Sequence, residues 1–453
     1  MLARRKFIIG ATAIVALAGP GASGAQDLAN LVVDVIDQEF RLGSNAIAGA
    51  EHTFHFNEAE LVAGSLNSAI VQQLTSAPLV SSASGSVALE WDPVTNSFAT
   101  TASSFGPVFA ERAETMGAGK LNFGFSMMRL NYDSIDGIPL DGSGLGFDIK
   151  HQDTGAQDGT TLDNFVEGDL IRMDIALDVS TRAATLFGNF GVLDRLDISV
   201  ALPIITVDVQ ADVRAQVRRL STVSFSDPGG QAVHEFAGHG STTTLSRGGR
   251  ATGIGDLLVR GKYNLIAREG RGLAAAAEVS LPSGDDRNLL GTGATGVKML
   301  FIGSATFGPL SPHVNTGYSW FTGGRTELPD QVSLAVGFDM PIHDAVTLAV
   351  DVFGHTLLDS RKLAVSQEDH YFRLCDGCTT ATPEDQMPIG VISRDVLSTR
   401  ADDIDLFFAS AGLKIRLPTS KDLILTTNFL YSLGRDGLQD EDVIALFGLD
   451  FGF

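Results

Sequence analysis

The feature that most limits what this chain can fold into is a two-residue period of apolar side chains that recurs from about Leu121 to Phe453. Beyond the first 25 residues no run of about 18 apolar residues accompanies it, so any membrane crossing has to be made by strands. The last stretch shows the period best: Val443, Ala445, Phe447, Leu449, Phe451 and Phe453 share one face. Before it, Leu423, Leu425, Phe429, Tyr431 and Leu433 oppose Thr426, Asn428, Leu430 and Ser432. Val332, Leu334, Val336 and Phe338 oppose Ser333, Gly337 and Asp339, and Leu348, Val350 and Val352 oppose Thr347, Asp351 and His355. Asp256, Arg260, Lys262, Glu278, Lys414 and Arg416 each fall on the polar face of such a pattern. Charge on one face only is what a strand shows when one side meets lipid and the other a polar lumen. An Arg or Lys facing lipid at the midplane would cost roughly 2–4 kcal/mol, so these charges are assigned to the lumen.

Connections alternate in length. Short turns fall at Leu193–Arg195, Ala267–Gly270, Pro309–Ser311, Ile342–Asp344 and Pro418–Lys421, while long polar stretches occupy Asp133–Glu167, Ala211–Ala251 and Asp359–Asp402. Short periplasmic turns and long outer loops are the barrel signature. The fold class that follows is all-β, an antiparallel transmembrane barrel of about 12 strands, with residues from about Leu170 to Gly191 as one long strand. A hairpin at Ser86–Trp91 and Ser97–Ser103 would raise the count to about 14, but its arms are short for the roughly 9–11 residues a spanning strand needs. Folding against a plug or inside the lumen is the other reading of that hairpin. A soluble sandwich also alternates, yet these strands are longer than a sandwich requires.

Residues 1–25 read as a secretory signal, with Arg4, Arg5 and Lys6 before an apolar stretch and Ser23 and Ala25 at the cleavage positions. Residues 26–118 form the next unit and 119–453 the barrel. Leu28, Leu31, Val32, Val35 and Ile36, then Leu61, Val62, Leu66, Ala69, Ile70 and Leu74, follow a helical period. They make either a lumen-filling plug or a periplasmic extension. The balance of 32 Lys+Arg against 54 Asp+Glu repels phosphate backbones and excludes nucleic acid as a partner.

The motifs that carry chemistry elsewhere fail here on spacing. His234 and His239 in His-Glu-Phe-Ala-Gly-His are five apart rather than four, and Gly238 and Gly240 oppose a helix, so a zinc-protease site is not formed. Cys375 and Cys378 lie in an expected outer loop, where an oxidising compartment favours a local disulfide over a metal site shared with His370. The run Gly291–Gly296 lacks the Lys-Ser or Lys-Thr of a phosphate loop. Asp136, Asp141, Asp148, Asp153 and Asp158 lack calcium-loop spacing. No Gly-x-Ser-x-Gly elbow is present, and no catalytic residue or cofactor is expected.

At Phe105-Gly106-Pro107-Val108-Phe109-Ala110-Glu111-Arg112-Ala113-Glu114-Thr115 and Lys120-Leu121-Asn122-Phe123-Gly124 the chain resembles the outer-membrane transporter family of the meta-pathway of phenol degradation. Thr252–Leu257, Leu281–Asp285 and Asn288–Gly293 extend the resemblance, which covers roughly residue 86 to the C-terminus. That family is similar to outer-membrane channels for long-chain fatty acids and aromatic hydrocarbons. The resemblance implies a barrel with a luminal plug and passive uptake of hydrophobic small molecules. It also implies a helix around Leu61–Leu74 lining the site, through Leu66 and Ile70, with luminal Phe353, Phe408 and Leu430 as contacts. Expected partners are outer-membrane lipid and lipopolysaccharide, the barrel-assembly machinery and a small hydrophobic ligand. A polar porin, for which the inward charges would line an open lumen, and a surface protein working through its acidic loops are the alternatives.

Overall fold

The structure, a computed structural model, describes residues 27–31, 34, 35, 42, 64–67, 69–73, 104–151, 168–220, 234–268, 270–325, 327–374, 383–418 and 423–452, with the backbone of 89–92 and 97–100. The expected signal segment, Cys375, Cys378 and the terminal Phe453 lie outside the described residues.

The strands, in chain order, are β1 (Leu89–Asp92), β2 (Ser97–Thr100), β3 (Leu121–Tyr132), β4 (Ser134–Ile135), β5 (Ile138–Pro139), β6 (Asp141–Lys150) and β7 (Leu170–Leu193). There follow β8 (Leu196–Arg218), β9 (Thr242–Ile254), β10 (Leu257–Arg268), β11 (Arg271–Leu281), β12 (Ala294–Ala305) and β13 (Ser311–Gly323). The last are β14 (Gln331–His343), β15 (Val346–Arg373), β16 (Ile389–Arg416), β17 (Leu423–Ser432), β18 (Leu438–Gln439) and β19 (Ile444–Gly452). Twelve of them close a ring in the order β3-β7-β8-β10-β11-β12-β13-β14-β15-β16-β17-β19, every pair antiparallel. Closure is made by β19 on β3, in register from Leu446↔Met128 to Gly452↔Asn122. β1 and β2 pair only with each other and add nothing to the ring, so the count is twelve and the hairpin is no part of the wall. β6 and β9 are the two extra strands of the sheet, flanking the upper lengths of β7 and β8.

A closed ring is what a bilayer demands, because lipid offers no partner to an unpaired N–H or C=O. The outward faces carry the expected apolar belt: Phe123, Met127, Leu186, Phe190, Ile198, Val200, Val259, Phe301, Val314, Val336, Val352, Phe429 and Phe447 are all exposed. Tyr263, Tyr318, Trp320 and Tyr431 supply aromatic side chains of the kind that settle at membrane interfaces. Inward positions are buried and polar on the same strands, as at Asn122, Ser126, Asn189, Asp197, Ser199, Thr426 and Asn428.

Above the belt the character inverts. β7, β8, β15 and β16 run on for 23 to 28 residues. The outward face of β8 turns polar, with Asp208 paired to Arg250 of β9, while its inward Val207, Val209, Val213 and Val217 are buried. The apolar inner wall receives Leu28, Leu31, Val35, Leu42, Leu66, Ala69 and Ile70 in one core with Phe147, Ile149, Met173 and Ile175. The helical period read in the N-terminal segment is therefore answered by an apolar wall. β6 meets β16 through side-chain contacts rather than a ladder: Asp148 accepts from the Asp395 amide at 3.1 Å and, by its carbonyl, from Arg394 at 3.0 Å, and its carboxylate also accepts from Arg218 of β8 at 2.9 Å. Arg172 completes the seam on Asp395 at 2.6 Å and holds that carboxyl below the ordinary carboxylate range.

The belt makes a quantitative expectation. Val336 is exposed to lipid on the middle of β14, so Val336→Arg should lower the unfolding free energy in liposomes by roughly 2–4 kcal/mol, as read by urea titration. An unchanged midpoint would place that face away from lipid.

Candidate functional site: a threaded segment and the cavity above it

Residues 104–118, which precede β3, run inside the barrel. A chain entering a lumen must find partners for its backbone groups, and inward side chains of successive strands provide them. The Phe105 amide donates to Thr347 Oγ1 at 2.9 Å, and the Val108 and Phe109 amides donate to Asp351 Oδ2 at 3.4 and 3.3 Å, all on β15. Asn315 of β13 bonds both ways with Glu111, at 2.7 Å from its amide and 2.9 Å to its carbonyl. The Ala113 amide donates to Ser304 of β12 at 3.1 Å, and the Ala113 carbonyl accepts from Asn264 of β10 at 2.8 Å. Asp197 of β8 receives the Met116 amide. The segment thus spans the lumen from the β15–β16 side to β8.

Charge fixes it further. Lys414 donates to the Phe105 and Pro107 carbonyls at 3.2 and 2.6 Å, and the Arg416 guanidinium lies 4.9 Å over the Phe105 ring. Arg112 pairs with Asp339, which also accepts from Ser104. His313 stands between the two acceptors, 2.7 Å from Asp351 and 3.7 Å from Asp339. Glu111 pairs with Arg260, which is itself 3.7 Å from Glu278, and Lys262 reaches the Arg112 carbonyl at 3.4 Å and Asp197 at 3.9 Å. Buried charges of this kind persist only when paired. At the periplasmic end, Gly191 approaches Gly117 so closely that a Cβ there would meet its carbonyl oxygen at 1.9 Å. Only glycine fits that contact.

Over this segment lies a cavity of about 320 Å³. One wall is apolar, from Phe109, Met128, Leu130, Ile205, Val207, Phe353 and Phe408. Phe109 of the threaded segment stacks on Phe353 at 4.1 Å between centroids, and Phe353 lies 5.7 Å from Phe408. The polar lining comes from Arg260, Glu278, Lys298, Ser319, Ser333 and His355, with Ser333 and His355 one inward position along β14 and β15 from Ala335 and Phe353. The roof includes Leu289 and Leu290, in a loop that Asp256 gathers by accepting from the Gly284 amide at 3.0 Å, the Thr292 amide at 2.7 Å and Thr292 Oγ1 at 2.6 Å. Leu289 has φ 59, a backbone conformation rare for a branched side chain.

The residues singled out from sequence divide by what they touch. Arg260, Glu278, Phe353, Phe408 and Asp256 line the cavity. Lys262, Asp339, Asp351, Lys414 and Arg416 contact the threaded segment instead. Leu430 is fully buried, and it packs in the core without lining the cavity. Leu66 and Ile70 do not line it either, since they join the core that the apolar upper walls of β7 and β8 form. Their neighbour Gln72 reaches the Glu327 carbonyl at 3.1 Å and accepts from Ser360 at 3.1 Å, and Gln73 reaches Asp136 at 3.3 Å. The helical segment therefore engages the outer loops, while residues 104–118 cross the lumen below. Phe109 and Glu111 entered the sequence reading only as part of the resemblance motif, with no role at the site, and His313 and Lys298 not at all. The usable signal was a break in periodicity: Ser104–Gly119 fits neither a two- nor a 3.6-residue pattern.

A closed antiparallel ring with an apolar outer belt and a polar, filled interior defines a transmembrane β-barrel of the outer-membrane type. No family model and no curated protein matches the chain. Among solved structures, an outer membrane channel from Pseudomonas putida F1 is similar at 11% identity and TM-score 0.42, over 75% of this chain and 98% of that one. A Pseudomonas aeruginosa FadL homologue is similar at 11% identity and TM-score 0.30, over 74% and 89%. Pseudomonas putida OprB follows at 9% identity and TM-score 0.24, over 74% and 93%.

Because Asp351 accepts two amides of the threaded segment, Asp351→Ala should ease its local release by roughly 3–5 kcal/mol. Hydrogen exchange would show it as lost protection at Val108 and Phe109 with the β13–β15 ladder still protected. Retained protection at both amides would show that the carboxylate does not hold the segment.

Proposed function

We propose that this protein is a passive outer-membrane channel for hydrophobic or aromatic small molecules, reaching that membrane after cleavage of its N-terminal signal. The observation that carries the reading is the cavity of about 320 Å³, lined by stacked Phe109, Phe353 and Phe408 and bordered by the threaded segment 104–118. Sites for small molecules of this class are concave and largely apolar, with a few placed polar groups. An apolar compound entering from outside would rest against the phenyl rings and leave once the threaded segment or the wall yields. Its outer surface would be covered by membrane lipid and lipopolysaccharide, and its insertion would depend on the barrel-assembly machinery.

The polar-porin reading needs inward charges facing water along an open path. Lys262, Lys414, Asp339 and Asp351 are instead bonded to the threaded segment, which favours the apolar ligand.

Reconstituted in liposomes, the protein should pass sugars at background rates in swelling assays and admit an apolar fluorescent probe well above background. Ala335 lines the cavity and is buried, so Ala335→Trp should fill the space and lower probe entry about tenfold. Fast sugar entry would favour the porin, and an unaffected Trp variant would move the path away from the cavity.

A further inference from the structure

The polar wall of the cavity contains two side chains whose nitrogens are left without partners. Lys298 of β12 and His355 of β15 both line it. Lys298 sits directly across the ladder from Glu278, yet the Glu278 carboxylate is turned to Arg260 at 3.7 Å. Among the described residues no hydrogen bond or ion pair reaches the Lys298 ammonium, which is part-exposed at the cavity surface, and His355 Nε2 is buried without a partner. A buried polar nitrogen such as that of His355 is rarely left so. An ammonium can only donate, whereas the second nitrogen of a neutral imidazole can accept.

A hydroxyl group answers both needs at once, accepting from Lys298 and donating to His355. A carboxylate answers them poorly. Among the described residues the charged side chains lining the cavity are Glu111, Asp256, Glu278, Arg260 and Lys298, three carboxylates against two cations. A further negative charge would enter a space that already carries an excess of one, and an uncompensated charge taken out of water is expensive. A hydroxyl brings no charge. The stacked rings of Phe109 and Phe353, the latter one inward position before His355 on β15, would cover the apolar remainder of the same ligand.

We propose that Lys298 and His355 form a selectivity site for neutral hydroxylated amphiphiles, and that the cavity discriminates against the carboxylates of the same carbon skeleton. This rests on the reading of the cavity as a ligand station, and it adds the polar end of the ligand to the apolar one.

The test uses the full mature chain in nanodiscs and three probes of one chain length: 1-octanol, octanoate and octane. Calorimetric titration against empty nanodiscs should show octanol binding at least about tenfold tighter than octanoate, the size of one or two hydrogen bonds to charged or buried groups. Lys298→Met and His355→Leu should each bring octanol down to the level of octane while leaving octane unchanged. Lys298→Gln, which keeps a donor of similar length, should recover part of the preference and guards against a variant that fails to fold, as does heat-modifiable mobility on gels. Octane binding with no preference for octanol, or octanol binding that survives both substitutions, would overturn the hydroxyl site and leave the apolar station standing. Octanoate binding more tightly than octanol would overturn it in favour of an anion site. Failure of all three probes would overturn the site together with the reading of the cavity on which it rests.

Discussion

The whole structure depends on one requirement: a backbone that enters hydrocarbon has to satisfy its polar groups within the protein. Twelve antiparallel strands meet it by closing on themselves, and the decisive contact is the pairing of β19 with β3 across Leu446–Gly452 and Asn122–Met128. Once the ring is closed, side-chain alternation is no longer a matter of propensity. Each outward position meets lipid and each inward one meets the lumen, so a shift by one residue would exchange the two sets.

The same requirement recurs inside the lumen and explains where the charges went. Residues 104–118 bring backbone N–H and C=O groups into a space without regular secondary structure of their own. The barrel supplies acceptors from Asp351, Asn315, Ser304 and Asp197 and donors from Lys414, Lys262 and Asn264. The inward polar set is therefore chiefly a binding surface for the protein's own chain. What remains uncovered above it, the lining that includes Phe109, Phe353, Phe408, Lys298 and His355, is the part that the proposed ligand would occupy.

Much of this was legible from residues alone. Strict alternation in Val332–Phe338 or Leu423–Leu433 is read directly, because a half-buried strand permits no other pattern, and the same period in neighbouring strands assigned Asp339, Asp351 and Lys414 to the interior. The long β7 was legible for the same reason. The role of each inward residue was not, since alternation reports which face a side chain occupies and never what stands opposite. Arg260 and Lys262 are alike in sequence, yet Arg260 borders the cavity and Lys262 does not, holding instead a carbonyl of the threaded segment. The helical period of Leu66, Ala69 and Ile70 left a plug and a periplasmic extension equally open; these residues pack in one core with the upper wall of β7 and β8, which appears only once the strands are known to outrun the membrane belt. Residues 104–118 were hidden by having no period, because their conformation is dictated by partners far away in sequence, such as Asp351 for Phe109 and Asn315 for Glu111.

The central claim is that residues 104–118, held by the inward charges, close the lumen to water. Single-channel conductance in planar bilayers tests it most directly, comparing the mature protein with a variant lacking residues 105–116. The account predicts a nearly silent full-length protein and steady open conductance in the deletion, with both forms heat-modifiable and therefore folded. Equal conductance from the two folded forms would contradict it, because water and ions would then have a path that the threaded segment does not block.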